Sequence, residues 1–315
     1  MTQAELLQRF FQGDRRALAR LITLVENQNS RAEPLLDQIY GHLKGAYRVG
    51  ITGPPGAGKS TVVDRLVTFY RKTGRTVGVI AVDPTSPFTG GALLGDRVRM
   101  EDIGLDPDVF IRSMATRGSL GGLSRAAQDV ADVLDAFGKE VILMETVGVG
   151  QSELDIMQTA DATVVVLVPE SGDSVQAMKA GLMEIGDIFV LNKSDHQGAD
   201  RAYLEILSVL KLKPARGEWN PPVIQTVASE GKGIDKLYEK LEAFRTFQEE
   251  KNILKEKFRR RVEERIRRYL EEQILKQYWT KERETRFRRA LEDILDRKKS
   301  LQQVLAEFEK GKQGE

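Results

Sequence analysis

Cysteine is absent from the 315-residue chain and histidine occurs only twice, at His42 and His196. The first absence excludes disulfides, thiolate metal sites and cysteine nucleophiles; the second excludes a histidine-rich metal centre. No long apolar run is present. The longest strongly apolar stretch, Val164 to Val168, is far shorter than the roughly 20 residues a membrane helix needs. Nor does the start of the chain carry a basic segment followed by an apolar one, so no secretory leader and a cytoplasmic location are expected. A large charge of one sign is missing too. With 48 Lys/Arg against 47 Asp/Glu, no global polyanion-binding character is expected.

What is present divides into three zones. Residues 1–46 read as a helical extension: Thr2 and Glu5 fit a capping box, and Leu6, Leu7, Phe10, Leu18, Leu21, Ile22 and Val25 recur at helical spacing. Residues 47–245 alternate short β-rich runs with helical stretches. The runs are Tyr47–Thr52, Thr76–Val82, Val109–Ile111, Val141–Met144, Ala162–Val168, Ile188–Leu191 and Val223–Thr226. Most lack polar/apolar alternation, as strands covered on both faces do, which predicts a mainly parallel α/β sheet flanked by helices. Ligands of such sheets bind at the C-terminal ends of the strands.

Residues 246–315 form a second helical extension. Leu254, Phe258, Val262, Ile266, Leu270 and Ile274 repeat every four residues, Phe287, Leu291 and Leu295 mark another helix, and Ser300 with Gln303 opens a third. The apolar seam needs a partner, either the sheet domain or the same helix of a second chain. Residues 249–299 hold 18 Lys/Arg against 12 Asp/Glu, but glutamates interleave throughout and the aromatics there form no base-stacking pattern with the arginines. No nucleic-acid partner and no membrane partner are expected.

The chemistry sits in the middle zone. Gly53-Pro54-Pro55-Gly56-Ala57-Gly58-Lys59-Ser60 matches G-x-x-x-x-G-K-[ST] between a strand and a helix, the context that defines a P-loop. Glycines let backbone N–H groups turn inward around phosphate oxygens, and the helix N-terminus favours negative charge. Lys59 is expected to reach the β/γ-phosphates, Ser60 to ligate Mg2+, and Thr61 to donate to the α-phosphate.

Far downstream, the run Ile188–Leu191 ends in Asn192-Lys193-Ser194-Asp195. The Asp195 carboxylate can accept from guanine N1–H and the 2-amino group, which adenine does not offer, while Asn192 braces the loop and the Lys193 stem covers the base. Val227, Ala228 and Ser229 fall where a backbone N–H can meet guanine O6. Val141–Met144 leads into Glu145-Thr146-Val147-Gly148, a D-x-x-G shape with Glu in place of Asp. Glu145 can hold a Mg2+-bound water and Gly148 can sense the γ-phosphate. Asp83 and Asp96 are further Mg2+ candidates, and Gln151 and Glu153 could orient water. No arginine finger is placed by motif; Arg97, Arg112 and Arg117 are the options, and slow turnover is expected.

Together GPPGAGKST, VDPTSPFTGGALLGDRVRM, ETVGVGQSE, LVPESGD and NKSD resemble the methylmalonyl-CoA mutase-associated GTPases (MeaB/ArgK-like P-loop G proteins) over roughly residues 15–245. The third position of the guanine motif, often Ala in that family, is Ser194 here. The resemblance implies a P-loop GTPase that binds GTP or GDP with Mg2+ and needs no cobalamin of its own. It implies a homodimer held largely by the C-terminal extension. It also implies a chaperone that gates adenosylcobalamin loading and protection of an acyl-CoA mutase such as methylmalonyl-CoA mutase, with an adenosyltransferase as an indirect partner. The segment containing Asp173, Gln176 and Lys179 resembles the family switch that couples nucleotide state to the mutase. A nickel-insertion GTPase and an amino-acid-transport-associated P-loop ATPase are the alternatives; the first lacks Cys/His ligands here, and the second is disfavoured by Asn192-Lys193-Ser194-Asp195.

Overall fold

A computed structural model describes residues 1–27, 31–83, 101–115, 122–146, 158–169, 181–212 and 218–310. Within them the chain runs α1 (Gln3–Phe11), α2 (Arg15–Glu26), α3 (Ala32–Tyr40), β1 (Tyr47–Thr52), α4 (Lys59–Lys72), β2 (Val77–Asp83), α5 (Glu101–Gly104), β3 (Val109–Ala115), α6 (Gly122–Phe137) and β4 (Val141–Glu145). There follow β5 (Ala162–Leu167), α7 (Leu182–Ile185), β6 (Ile188–Leu191), α8 (Ala199–Leu212), β7 (Val223–Gln225), a 3-10 turn (Ala228–Glu230), α9 (Ile234–Glu250), α10 (Ile253–Tyr278), α11 (Lys281–Leu295) and α12 (Leu301–Lys310). Two compact units result, Met1–Leu254 and Lys255–Glu315.

The first unit holds one seven-stranded sheet in the order β3-β2-β4-β1-β5-β6-β7, every neighbouring pair parallel. This is the expected parallel α/β sheet flanked by helices. All residues of β1, β4, β5 and β6 are buried, which is why these strands read as continuous apolar runs. The chain leaves β1 toward β2 on one side and reaches β5 on the other. Successive crossovers therefore diverge at β1, and the crevice lies beyond its C-terminal end.

Each face of the sheet has its own core. On one, Tyr47, Val49 and Ile51 pack with Val62, Leu66 and Tyr70 of α4 and with Leu237, Leu241 and Phe244 of α9. On the other, Leu18, Leu21, Ile22, Leu35 and Ile39 of the N-terminal helices share a core with Val130, Leu134, Ile142 and Met144. Leu18, Leu21 and Ile22 are completely buried, each stabilising the fold by about 1.5–3 kcal/mol relative to exposure. The capping box at α1 forms: Thr2 N–H donates to Glu5 Oε2 at 2.8 Å and Glu5 N–H to Thr2 Oγ1 at 3.2 Å. Arg15 fastens the N-terminal helices to the loop before β3, with one Nη donating to Pro107 O and the other to Val109 O, both at 2.8 Å.

The second unit consists of helices. Trp279 meets Phe287 edge-on, with ring centroids 5.4 Å apart, and Phe308 lies 6.3 Å from Phe287. The capping box at α12 also forms, Ser300 N–H donating to Gln303 Oε1 at 2.8 Å and Gln303 N–H to Ser300 Oγ at 3.2 Å. Along α10 the apolar stripe stays open to solvent at Phe258, Ile266, Leu270 and Ile274.

Candidate functional site

The phosphate loop follows β1 at the point where crossovers diverge. Three of its glycines take positive φ: Gly53 at 140°, Gly56 at 76° and Gly58 at 85°. At two of them a side chain has no room. A Cβ on Gly53 would lie 2.0 Å from the Val166 backbone oxygen of β5, and one on Gly58 2.4 Å from Asn192 Nδ2. The loop is thus pressed against the two neighbouring strand ends, and glycine is what lets it fit. Ala57 is fully buried, while Pro55, Gly56 and Thr61 are exposed. Lys59 opens α4 and is buried; its Nζ donates to Gly53 O at 3.0 Å and Pro54 O at 3.1 Å. The cation therefore sits inside the turn of the loop, at a helix N-terminus, where an anion is favoured twice over.

Glu145 ends β4. Register places it beside Ile51 of β1 and Ala81 of β2, next to the start of α4. The Ser60 hydroxyl donates to Glu145 Oε1 at 2.7 Å. Sequence reasoning proposed these two residues for one cation, and the fold brings them together. A hydroxyl and a carboxylate oxygen at the mouth of a phosphate loop are hard donors, the set that suits Mg2+ completed by phosphate oxygens and waters. Behind them two buried hydroxyls meet: Thr146 Oγ1 donates to Thr52 Oγ1 at 3.1 Å, and Thr146 N–H donates to Ile51 O at 3.0 Å. This pair ties the residue before the P-loop to the residue after Glu145. Neither threonine was singled out from sequence, since a lone threonine at a strand end carries no signal.

Asp83 is the last residue of β2, its backbone aligned with Ala115 of β3; its side chain lies outside the described residues. So do Asp96, Arg97, Arg117, Gly148, Gln151, Glu153 and the segment with Asp173, Gln176 and Lys179. Arg112 is committed elsewhere: its Nη2 pairs with Glu26 of α2 and contacts Thr23 Oγ1 at 3.3 Å. That ion pair uses the guanidinium on the N-terminal helices, so Arg112 is a poor arginine finger.

On the base side, Asn192 is buried at the end of β6 and joins three segments. Its Nδ2 donates to Ala57 O at 2.9 Å, and its Oδ1 accepts from Thr226 Oγ1 and from Ala228 N–H, both at 3.0 Å. Lys193 takes a left-handed φ of 56° and is half-buried. Ser194 N–H donates to Thr226 O at 3.0 Å and its hydroxyl to Leu191 O at 2.6 Å, which fixes the turn from both sides. Asp195 is half exposed, with His196 Nε2 at 3.8 Å from its carboxylate. The carboxylate is therefore open to solvent here, and its desolvation would come with a base lying over it. The Asn192 bonds to Thr226 and Ala228 hold the loop that also carries Val227 and Ser229. Lys232, hydrogen-bonded to Glu230, is held above the usual lysine range by that carboxylate, so the pair stays charged beside the turn. Arg65 of α4 also reaches this loop, a contact that a helix-surface arginine does not announce in sequence.

Among the described residues no cluster of three or more His, Cys, Asp or Glu could hold a metal on its own, and no helix is long and apolar enough to cross a membrane.

A seven-stranded parallel sheet carrying a P-loop at its divergence point, with a carboxylate at the adjacent strand end and an Asn-Lys-x-Asp turn beside it, defines a P-loop GTPase. The family model described as "Methylmalonyl Co-A mutase-associated GTPase MeaB" matches residues 18–283. The chain belongs to this family. A putative GTPase of Pyrococcus horikoshii is 57% identical over 266 residues, 84% of each chain. GTPase ArgK of Escherichia coli is 39% identical over 255 residues, 78% of this chain and 76% of that one. The mouse methylmalonic aciduria type A homolog, mitochondrial, is 38% identical over 250 residues, 74% of this chain and 60% of its own length. The crystal structure of a LAO/AO transport system kinase superposes with a TM-score of 0.77 at 29% identity, covering 99% of this chain and 98% of that one.

Proposed function

We propose that this GTPase gates the loading and protection of the adenosylcobalamin cofactor in an acyl-CoA mutase, acting as a homodimer. The family match over residues 18–283 carries the reading, since that family is described by its association with methylmalonyl-CoA mutase. The mouse relative's name points the same way. GTP and GDP are the ligands and Mg2+ the metal, with Ser60, Glu145, Asp83 and Asp96 as its protein-side candidates. When bound, that ion would neutralise phosphate charge at the scissile end.

The chain's own residues supply the rest. Lys59 leaves the Gly53 and Pro54 carbonyls for the β/γ-phosphates and stabilises charge as the bond to the γ-phosphoryl group loosens. Backbone N–H groups from Gly56 to Thr61 hold the phosphates in line. Gly148 senses the γ-phosphate, and its release on hydrolysis resets the segment after Glu145. Asp195 selects guanine, with Asn192, Lys193, Val227, Ala228 and Ser229 shaping the base site. Asp173, Gln176 and Lys179 transmit the nucleotide state to the mutase. With Arg112 paired to Glu26, intrinsic turnover is slow and is accelerated by the partner. An adenosyltransferase acts upstream, and the exposed stripe on α10 serves the dimer.

The test is a pull-down from cell extract with the protein loaded with a non-hydrolysable GTP analogue or with GDP. Recovery of a cobalamin-dependent mutase in one state and not the other supports the reading. Recovery of none in either state sinks the chaperone role while leaving GTP hydrolysis intact. Similarity to the LAO/AO transport system kinase favours a second reading, transport-linked phosphotransfer; amino-acid-stimulated ATP turnover would establish it.

A further inference from the structure

Arg65 lies on α4, within the helix that the phosphate loop opens. Its guanidinium crosses to the loop after β7, where Nε donates to Ala228 O at 3.2 Å and Nη2 to Ser229 O at 2.9 Å. Both carbonyls belong to the 3-10 turn Ala228–Glu230. A trans peptide unit is planar, so its C=O and N–H point in opposite directions. The Ala228 carbonyl and the Ser229 N–H share one such unit. A charged donor fixed on that carbonyl therefore sets the direction of the Ser229 N–H, away from α4, and polarises it.

The adjacent N–H groups are used within the protein. Val227 N–H donates to Lys232 O at 3.1 Å and Ala228 N–H to Asn192 Oδ1 at 3.0 Å. Of the three candidate donors on this loop, the Ser229 N–H is the one whose direction these bonds leave for a ligand. Resting on the guanine reading above, we infer that Arg65 is a positioning residue for base selection. It holds the Ala228–Ser229 peptide so that the Ser229 N–H meets the 6-oxo group of a purine nucleotide, complementing the reading of N1–H and the 2-amino group by Asp195. Selection of 6-oxopurines is thus shared between β6 and α4.

Three probes separate this from a bracing role: GDP, inosine diphosphate, which keeps O6 and lacks the 2-amino group, and 2-aminopurine riboside diphosphate, which lacks O6. Affinities are measured by displacement of a fluorescent GDP from the wild type and from Arg65→Ala, Arg65→Gln and Arg65→Lys. Arg65→Ala and Arg65→Gln are expected to weaken GDP and inosine diphosphate by the same factor, about tenfold, from the loss of a charge-supported hydrogen bond. The 2-aminopurine nucleotide should change by less than about twofold, and Arg65→Lys should fall between. Equal weakening of all three nucleotides, or of none, overturns the assignment. A wild type that fails to prefer GDP over the 2-aminopurine nucleotide refutes the guanine reading itself, a different failure visible before any variant is made.

Discussion

Replacing Asn192 by alanine tests whether one side chain holds the phosphate loop and the base site together. Three hydrogen bonds disappear: to Ala57 O, from Thr226 Oγ1 and from Ala228 N–H. All four residues are nearly or fully buried, with Asn192 itself 3% exposed, so the three orphaned groups gain water only by local opening. An unsatisfied buried polar group costs about 1–3 kcal/mol. Partial relaxation keeps the sum toward the low end of the resulting range of about 3–9 kcal/mol, at about 4 kcal/mol. For a unit of this size that lowers the melting temperature by roughly 10 °C. Nucleotide affinity should fall in parallel, since the P-loop and the turn at Ala228 lose their common anchor. Asn192→Asp sharpens the test: it keeps both accepting contacts but sets a carboxylate against the Ala57 carbonyl, so it should be no more stable than the alanine variant. Calorimetric melting and GDP titration read both effects. A shift under about 3 °C with unchanged GDP affinity would refute the reasoning.

Lys59→Ala should reduce GTP hydrolysis by at least about a hundredfold in a phosphate-release assay, because the charge it provides develops its value in the transition state. Gly53→Ala should destabilise the fold by more than about 2 kcal/mol in denaturant unfolding, since the added carbon meets the Val166 backbone, which cannot step aside. Burial and the neighbouring Arg15 hold Lys139 down to about 8, while its Nζ donates to Asp108 O at 2.8 Å. Because the folded value is depressed below the unfolded one, the unfolded chain binds more protons between the two. Stability from this group therefore rises with pH above about 8, by at most about 1.4 kcal/mol per pH unit, until the unfolded lysine also titrates. Unfolding of wild type and Lys139→Met at pH 7 and pH 9.5 should show the difference moving in favour of wild type; a pH-independent difference would contradict it.

The strands were legible because an all-parallel sheet buries both faces, and Ala162–Leu167 accordingly reads as an unbroken apolar run. Both capping boxes were legible because each is a local exchange of hydrogen bonds across three residues. β3 shows where that reading stops. Its apolar run ends at Ile111, yet the strand continues to Ala115, because its backbone stays paired with β2 as far as Asp83; its polar Arg112 pairs with Glu26 on a helix far away in sequence. The P-loop and the Asn-Lys-x-Asp turn could be located from their motifs alone. Their mutual geometry could not: the contact of Ser60 with Glu145, the hydroxyl pair Thr52–Thr146 and the reach of Arg65 to the Ala228 turn all depend on strand order, and β4 lies beside β1 although β2 and β3 intervene in the chain. Asp195 lies on the turn after β6, half open to solvent, an exposure its neighbours in sequence do not reveal, because local sequence says nothing of what covers a turn.

The central claim is that a guanine nucleotide sits on the P-loop with Asp195 at its Watson–Crick edge, and titration calorimetry of GDP, ADP and xanthosine diphosphate against wild type and Asp195→Asn tests it most directly. The wild type should bind GDP far more tightly than either competitor. Asp195→Asn should lose at least about tenfold for GDP and gain for xanthosine diphosphate, whose 2-oxo group accepts from the new amide. Equal binding of ADP and GDP by the wild type would contradict the account.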